Sequence, residues 1–333
     1  MRILLGIFGF AVLAWFGYWF IGSNAMETGL KSWLQDRQDS GWVADYTSLD
    51  VQGFPNRFDA TVINIDLADP KYGWAWTAPE FQILTLSYTP NHFIAVWPHK
   101  QTVSTPYETH IITSKDMRAS FVFEPNTSLA LKRSTLTLKD LTVTSGRGEQ
   151  SSIASAVLAT RQTEGVKFAH DIAFDAKGFM PSKSLKARLD PAAILPPAFK
   201  TVSLRSTATF DAPWDRLAIE DVKPNLTRLD ITEFDAKWGE VQIQATGSVK
   251  VDEEGYPTGS IAVRAKNWRA LIRLAVASGA LDAGTAQSLE TGLGLIAMLS
   301  GNNNTLDVPL IFSKHIMSIG PIPIGAAPRL KRY

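Results

Sequence analysis

The sequence predicts a mainly β protein of the α+β class. It has an N-terminal transmembrane helix, then extended, curved antiparallel sheet, and two short helices near the C-terminus. Three observations predict this fold: residues 3–21 form an uncharged apolar run, apolar and polar residues alternate in short segments between residues 42 and 264, and helical spacing returns after residue 267. The chain has 333 residues, of which 45% are hydrophobic, so it can form a sizeable core.

The apolar run at the N-terminus has the length of a membrane span. A bilayer core of about 30 Å is crossed by about 20 apolar residues in a helix. The aromatic cluster in residues 15–20 is typical of an interfacial belt at the end of such a span. We therefore predict a transmembrane signal-anchor at residues 1–24, followed by a juxtamembrane helix at residues 25–41.

Two alternatives to a retained anchor stay open. A cleaved signal peptide needs a small-residue cleavage site, which residues 23–25 supply, although such peptides have a shorter apolar stretch of about 7–15 residues. A buried core helix is the other alternative. Arg2 and the α-amino group are the only charges before the run, which favours a cytoplasmic N-terminus. In a bacterium this predicts a single-pass protein of the inner membrane with its body in the periplasm.

Composition argues against several classes of function. The formal net charge of +1 argues against a nucleic-acid-binding protein, since such proteins carry a strongly basic face. The chain has no cysteine, which excludes a disulfide scaffold, a thiol nucleophile and cysteine-ligated metal sites.

Alternating segments with turn residues between them predict the strands of the body. They lie at residues 58–65, 81–87, 93–97, 117–123, 135–139, 141–144, 166–173, 202–206, 229–238, 241–251 and 260–264. Strands and helices do not alternate along the chain, so a parallel sheet is not expected. The body, residues 42–333, is predicted as one β-rich domain or as two related sheets, at residues 42–190 and 200–325.

Two similar turns favour related sheets. A Gly-aromatic-Pro sequence follows an alternating strand both in residues 42–67 and in residues 238–263. Because Gly allows a positive φ and Pro fixes φ near about −65°, both are predicted as hairpin turns. The alternative is that their aromatic tips touch a membrane or a ligand. The turn residues are Gly53, Phe54 and Pro55, and Gly255, Tyr256 and Pro257.

Helical spacing near the C-terminus predicts two short helices. Asn267 is placed to cap a helix at residues 268–278, and Asp282 a second helix that runs through residues 287–299 and ends at Gly301. Each is too short to span a bilayer, so we expect both to cover the sheet, with docking onto the membrane surface as the alternative.

The sequence contains no motif that predicts catalysis. His92, His99 and His110 lie within nineteen residues, but their spacing matches no zinc pattern. Neither a Gly-x-Ser-x-Gly elbow nor a phosphate-binding glycine loop is present. We therefore expect no catalytic, metal-binding or cofactor-binding residues, and a protein that is not an enzyme.

The body is rich in tryptophan. The usual place for this residue is a core or a sheet edge, because the indole ring buries a large area. Tryptophan also favours sites that are apolar on one side and wet on the other, so an apolar groove or a membrane contact is the second interpretation. The candidate residues are Trp74, Trp76, Trp97, Trp238 and Trp268.

Several motifs along the chain combine glycine, proline and aromatic residues. They are Gly41-Trp42-x-Ala44-x-Tyr46, Val51-x-Gly53-Phe54-Pro55-x-Arg57, Leu67-x-Asp69-Pro70, Trp76-x-Ala78-Pro79, Tyr88-x-Pro90-Asn91-His92 and Trp97-Pro98-x-x-Gln101. In combination they resemble the alphaproteobacterial family catalogued as domain of unknown function 2125, from the anchor to residues 320–325. The resemblance implies no activity, because the family has none assigned.

A wider resemblance concerns residues 241–259, which are similar to a hairpin common in AsmA-like proteins of bacterial envelopes. This resemblance implies an inner-membrane anchor, a periplasmic β-rich body and a curved sheet with an apolar groove linked to lipid transport. The chain is too short to bridge the periplasm, because many short strands at about 3.3 Å per residue give a compact body.

We therefore expect a membrane-anchored periplasmic protein that binds lipid or another apolar ligand in a sheet groove and serves envelope lipid homeostasis. The alternative is a non-enzymatic assembly or scaffold factor that binds another membrane protein. The expected partners are the lipid bilayer and either a phospholipid or an envelope protein, and nucleic acid is not expected.

Overall fold

A computed structural model describes residues 1–220, 223–279, 281–299, 303–320 and 322–330. This part of the chain is mainly antiparallel sheet with a long N-terminal helix and short helices near the C-terminus, so the predicted fold class is confirmed. Contacts divide the chain into two compact units: unit 1 is Met1–Pro125 with Leu136–Gly148, and unit 2 is Asn126–Thr135 with Glu149–Tyr333. Two related sheets at residues 42–190 and 200–325 stay a prediction.

Helix α1 (Arg2–Asp39) joins the predicted anchor and the predicted juxtamembrane helix without a break. Its most apolar window has a mean hydropathy of 2.0 and is only 6% buried. Among the described residues, α1 is the one helix long and apolar enough to cross a membrane. The helix ends where Gly41 takes a φ of +85° and Trp42 N–H donates to Arg37 O at 3.0 Å, a common glycine-dependent ending.

Unit 1 combines α1 with antiparallel strands. These are β1 (Val43–Asp45), β2 (Ser48–Gln52), β3 (Arg57–Asp69), β4 (Trp74–Leu86), β5 (His92–Val96), β6 (Lys100–Ser104), β7 (Thr109–Thr113), β8 (Asp116–Phe123) and β9 (Leu131–Ser145), whose first residues belong to unit 2. Strand β3 pairs with β1, β2 and β4. From β4 the pairing continues through β5 to β8, and through β6 and β7 to β9.

The C-terminal half of α1 covers one face of β3. Leu34 of α1 packs with Val62 and Ile65 in the core of unit 1. Buried and more exposed residues alternate along β3, and this alternation shifts by one residue between Val62 and Ile65. The shift occurs at Asn64, whose φ is +51°. The helix that leaves the apolar N-terminal run is therefore part of the folded body, and not a flexible connection to it.

Unit 2 is built from strands that follow one another in the sheet as they do in the chain. They are β10 (Gln150–Gln162), β11 (Ala169–Phe179), β12 (Phe199–Phe210), β13 (Leu226–Trp238), β14 (Val241–Val251), β15 (Pro257–Lys266), β16 (Thr305–Ser313), β17 (Ile316–Ile319) and β18 (Ile322–Ala326). Its helices are α2 (Lys183–Leu189), α3 (Arg216–Glu220), α4 (Trp268–Ala277) and α5 (Ala283–Leu299). Each strand from β11 to β18 pairs antiparallel with the strand before it.

Most predicted strands overlap observed ones but differ from them in their ends, and residues 135–139 and 141–144, predicted as two strands, form the single strand β9. Strand β11 begins at Ala169 and not at residue 166, because Phe168 takes a φ of +56° in the preceding turn. Strands β6, β7, β10 and β18 and helices α2 and α3 lie outside the predicted elements.

The helices near the C-terminus start close to the predicted positions. Asp282 caps α5 as predicted, since its Oδ1 accepts a hydrogen bond from Thr285 N–H at 2.8 Å. Asn267 precedes α4, but it takes a left-handed conformation with a φ of +56° and its side chain makes no capping hydrogen bond. Gly301, the predicted end of the second helix, lies outside the described residues.

Candidate apolar binding site

One face of the unit 2 sheet is apolar from strand to strand. Directly paired residues of antiparallel strands lie on the same face, so the register identifies rows of side chains across the sheet. We call one of these rows the central apolar row. It consists of Phe174, Leu204, Phe234, Ala245, Val263 and Val308.

The opposite face of the same sheet is polar. Shifting by one residue along each strand gives the row Asp175, Ser203, Asp235, Gln244, Arg264 and Asp307. Ion pairs link neighbouring strands there, with Arg205 joined to Asp175 and Arg264 to Asp307, both at 2.7 Å. Because only the other face is apolar, that is the face that has to be covered by another part of the molecule or by a ligand.

Two hydrophobic clusters cover the ends of the apolar face. At one end, Trp268 of α4 and Leu293 of α5 pack with Leu306 of β16. At the other end, Phe312 of β16 packs with Ala327, which follows β18. Both clusters are closed, since all of these side chains are buried.

The central apolar row lies between the two clusters and is only partly covered. Phe174, Leu204, Phe234, Val263 and Val308 are each half-buried in the part of the chain that the structure describes. Removing apolar surface from water contributes about 25 cal/mol per Å². The row is therefore a surface on which an apolar ligand would gain free energy by binding.

An apolar cavity of about 220 Å³ lies beside this row, beneath α4. Trp238 and Ile243 form its sheet side, and Leu271 and Leu274 form its helix side. Ile243 is two residues from Ala245 of the central apolar row and lies on the same face. Sites for drug-sized ligands measure about 300–1,000 Å³, so this cavity has room for part of an alkyl chain and not for a whole lipid.

Trp238, a predicted groove residue, is held firmly in the wall of the cavity. Its side chain is 7% exposed and stacks on Phe199 with ring centroids 4.2 Å apart. Its Nε1 donates a hydrogen bond to Pro196 O at 2.8 Å. The polar edge of the indole is thereby satisfied, and apolar ring surface lines the cavity.

A buried carboxylate organises the loop that holds Trp238. Asp190 accepts hydrogen bonds from Ile194 N–H at 3.0 Å, Leu195 N–H at 2.9 Å and Lys186 Nζ at 2.8 Å. Burial acts to raise the pKa of Asp190, but these three donors outweigh it and hold the pKa below its usual range. The Asp190 carboxylate is therefore charged and fully hydrogen-bonded, and it fixes the position of the residues just before Pro196.

Trp268, another predicted groove residue, lies in the core and does not line the cavity. It is 2% exposed, and its Nε1 donates to Asn303 O at 3.2 Å. The guanidinium of Arg269 lies 4.3 Å from the centre of its ring. Its role in the structure is to join α4 to the sheet.

The remaining predicted groove residues belong to unit 1. Trp74 makes an edge-on contact with Trp42, and Trp76 Nε1 donates to Gln101 Oε1 at 2.6 Å. Trp97 packs against an aromatic ring of β4 with centroids 5.4 Å apart. All three are half-buried. The candidates thus fall into two groups, with Trp74, Trp76 and Trp97 in one unit and Trp238 and Trp268 in the other.

The first Gly-aromatic-Pro turn lies against α1. Gly53 takes a φ of +106° where the chain turns from β2 to β3. The ring of Phe54 lies 4.5 Å from that of Phe16 and 5.4 Å from that of Trp19, measured between centroids. Pro55 O accepts a hydrogen bond from a third aromatic side chain of the same helix.

The second Gly-aromatic-Pro turn is packed within unit 2. Gly255 takes a φ of +91° between β14 and β15, and Pro257 is the first residue of β15. Tyr256 stacks on His315 with ring centroids 4.0 Å apart, and the guanidinium of Arg329 lies 5.3 Å from the Tyr256 ring. The two turns share a sequence pattern and a hairpin connection, but their surroundings differ.

In the part of the chain that the structure describes, ionisable side chains form no centre of the kind that binds metals. The described residues contain no group of three or more His, Asp or Glu side chains that could hold an ion. His92 Nε2 lies 2.9 Å from Ser120 Oγ, and His99 Nδ1 lies 3.0 Å from Ser114 O. His110 lies beside Glu108 at 4.0 Å.

Sequence reasoning missed most of the cavity wall. Leu271 and Leu274 have the spacing of a buried helix face, which indicates a core position without saying which strand they meet. A signal for Asp190 was present, because Lys186 precedes it by four residues, the spacing of an ion pair on a helix. Phe199, which backs Trp238, gave no signal beyond its aromatic character.

The sequence pattern of one bacterial family matches residues 19–328, which is nearly the whole chain. The family is described as an uncharacterized protein conserved in bacteria (DUF2125). No curated protein and no solved structure matches the chain.

Proposed function

The chain belongs to the DUF2125 family, and from this premise we propose that it is a membrane-anchored protein that binds a lipid by its acyl chain on the central apolar row. The observation that carries the proposal is that this row, which crosses β11 to β16, is half-buried in the described part of the chain. The cavity beneath α4 supports the proposal, because it extends the same apolar surface.

The energetics favour an alkyl ligand. Burying a CH₂ group contributes about 0.8 kcal/mol, so about eight such groups contribute about 6 kcal/mol before the cost of ordering the ligand. The polar face of the same sheet offers no such gain, since Arg264 and Asp307 already satisfy each other there. The ligand is therefore expected on the apolar face alone.

The proposal includes a location. With α1 as a single-pass anchor in the inner membrane and a cytoplasmic N-terminus, the body would face the periplasm. Arg2, which precedes the apolar run, is the residue that supports this orientation. This location and the resemblance to AsmA-like proteins together suggest a role in the lipid homeostasis of the envelope.

The protein is proposed to bind its ligand without changing it chemically. The cavity wall is apolar apart from Ser278, and a catalytic site needs titratable groups that converge on one point. The expected partners are the bilayer and a phospholipid taken from it.

The test uses the full-length protein in phospholipid nanodiscs that contain a lipid with a photoreactive group in its acyl chain. After illumination, cross-linked peptides are mapped by mass spectrometry. We expect cross-links on β13 to β16, and a reduction of about tenfold in the Val263→Glu variant, which corresponds to a loss of about 1.4 kcal/mol of binding. Cross-links to α1, the proposed anchor, serve as the reference for the amount of photoreactive lipid around the protein in each sample.

A matched control is the neighbouring Ala262→Glu, which places the same charge on the opposite, exposed face of β15. It should leave the cross-links unchanged. If Val263→Glu and Ala262→Glu give equal yields on β13 to β16, the lipid does not bind on the central apolar row. Cross-links confined to α1, with none on β13 to β16 in the parent protein, would favour the assembly or scaffold function instead.

A further inference from the structure

We propose that two turns of unit 1 are embedded in the bilayer beside α1, where they form a second contact with the membrane. The turns are residues 53–57, which lead into β3, and residues 87–91, between β4 and β5. We call them the turn wedge, and its occupant is the phospholipid of the membrane that α1 spans. The inference rests on the anchoring part of the proposed function and is independent of the ligand on unit 2.

Three aromatic side chains on one face of α1 bind the turn wedge. Trp15 Nε1 donates to Pro55 O at 3.1 Å, and Trp19 Nε1 donates to Arg57 O at 2.8 Å. Tyr18 donates from its hydroxyl to the backbone carbonyl of the second turn, at residue 87. These positions are three and four residues apart, so they share one side of the helix.

The depth of these contacts follows from the length of the apolar run. Residues 3–21 barely suffice for a bilayer core of about 30 Å, so all of them are needed to span it. At about 1.5 Å per residue, Trp15 lies about 18 Å along the helix from Ile3, so about 12 Å of the core remains between Trp15 and the end of the span on the side of the body. A turn that is bonded to Trp15 must lie below the membrane surface as well.

The hydrogen bonds suit an apolar environment. A carbonyl that is buried in lipid without a donor costs several kcal/mol, so irregular backbone enters a membrane only where a partner is supplied. Trp15, Tyr18 and Trp19 supply partners to three carbonyls of the turn wedge. Pro55 adds no N–H of its own that would need an acceptor.

The outward side of the turn wedge is aromatic. Phe54 is 43% exposed and Tyr88 is 62% exposed, and both adjoin the α1 face described above. Aromatic side chains are typical of the region where the end of the bilayer core meets the interface, which is the end of the span that α1 presents to the turn wedge. Exposure alone does not identify the wedge, because Tyr72 at the other end of β3 is 73% exposed and makes no such contact with α1 among the described residues.

The absence of cysteine permits a direct measurement of depth. Single-cysteine variants of the full chain, Phe54→Cys and Tyr88→Cys, are labelled with an environment-sensitive fluorophore and inserted into phosphatidylcholine vesicles. Some vesicles contain phospholipid with a nitroxide on its acyl chain, which quenches only probes within the bilayer. Leu13→Cys is the reference inside the span, and Tyr72→Cys is the reference in water.

We expect the probes at 54 and 88 to be quenched by the nitroxide lipid to the same degree as the probe at 13, and the probe at 72 not to be quenched. Asn56→Cys, at an exposed position of the same turn, repeats the measurement with Phe54 intact. It should agree with the probe at 54.

Two results overturn the inference in distinguishable ways. If the probe at 13 is quenched while those at 54, 56 and 88 behave like the probe at 72, the turn wedge lies outside the membrane although α1 is an anchor. If the probe at 13 also escapes quenching, the anchoring part of the proposed function fails together with the wedge.

Discussion

Asp190 is the residue on which the cavity wall of unit 2 most depends. It is almost completely buried, and each of its hydrogen bonds comes from a different donor. Hydrogen bonds to a charged group contribute about 1.5–3 kcal/mol, whereas a buried charge without partners is strongly unfavourable. The carboxylate is therefore tolerable only because the loop after α2 closes around it.

Replacing Asp190 by Asn is expected to destabilise the protein by about 2–3 kcal/mol, because a charged acceptor of three donors becomes a neutral one. The measurement is the free energy of unfolding of the full chain in detergent micelles, from urea titrations. Glu164→Gln, in an exposed turn of unit 2, is the matched control and should have no effect. Equal stability of the two variants would contradict the role given to Asp190.

The same residue predicts a dependence on pH. The pKa of Asp190 is lower in the folded protein than the value of about 3.9 of an unfolded chain. Its contribution to stability is therefore fully present above about pH 4 and is lost as the pH falls through the lower, folded pKa. This acid-induced loss should be smaller in Asp190→Asn than in the parent protein.

At the level of single residues, the sequence indicates chemistry better than location. Trp238, a predicted groove residue, lines a cavity in which its ring has a stacking partner and its Nε1 an acceptor, and its contact with a ligand stays a prediction. Trp268 has the same chemistry but a buried setting, and nothing in the sequence separates the two. The difference arises from which strand each ring meets, which is a tertiary property.

At the scale of elements, the contact between α1 and β3 depends on the absence of a side chain. Gly22 lies so close to Phe58 that a Cβ at this position would clash with the ring. Gly17, five residues earlier in the same helix, has nothing within 4 Å of where its Cβ would be. One glycine is therefore required by packing and the other is not.

Gly22→Ala is expected to destabilise unit 1 by about 1–3 kcal/mol, the usual cost of overpacking a close contact. Gly17→Ala should be neutral or stabilising by up to about 1 kcal/mol, because alanine is the better helix former. Thermal unfolding of both variants in detergent compares them directly. If Gly22→Ala is as stable as Gly17→Ala, the ring of Phe58 moves aside easily and the contact is not tight.

Elements with a strong apolar pattern were predictable, and those without one were not. The first half of helix α1 is marked by its unbroken apolar run and strand β14 by its alternation, and the structure contains both elements. Strand β10 has the sequence QSSIASAVLATRQ, in which small residues dominate both faces, so its alternation is weak. Helix α2 has only seven residues, and its clearest sequence mark is Ser182, whose Oγ accepts from Leu185 N–H at 3.2 Å.

At the scale of the whole molecule, the proposed orientation predicts where the body can be labelled. In bacterial cells, Tyr72→Cys should react with a membrane-impermeant maleimide once the outer membrane is permeabilised, because Tyr72 is exposed and the body is proposed to lie in the periplasm. Opening the inner membrane should add no further labelling. Labelling that appears only after the inner membrane is opened would place the body in the cytoplasm and reverse the proposal.

The absence of a break in α1 also has a consequence for the proposed anchor. Its 38 residues form a rod of about 57 Å at about 1.5 Å per residue, of which about 30 Å would lie in the bilayer. A transmembrane helix adapts to a thicker or thinner bilayer by changing its tilt. Because Leu34 is fixed in the core of unit 1, the body cannot stay upright while the helix tilts. Membrane thickness would thus set the angle at which unit 1 meets the lipid surface.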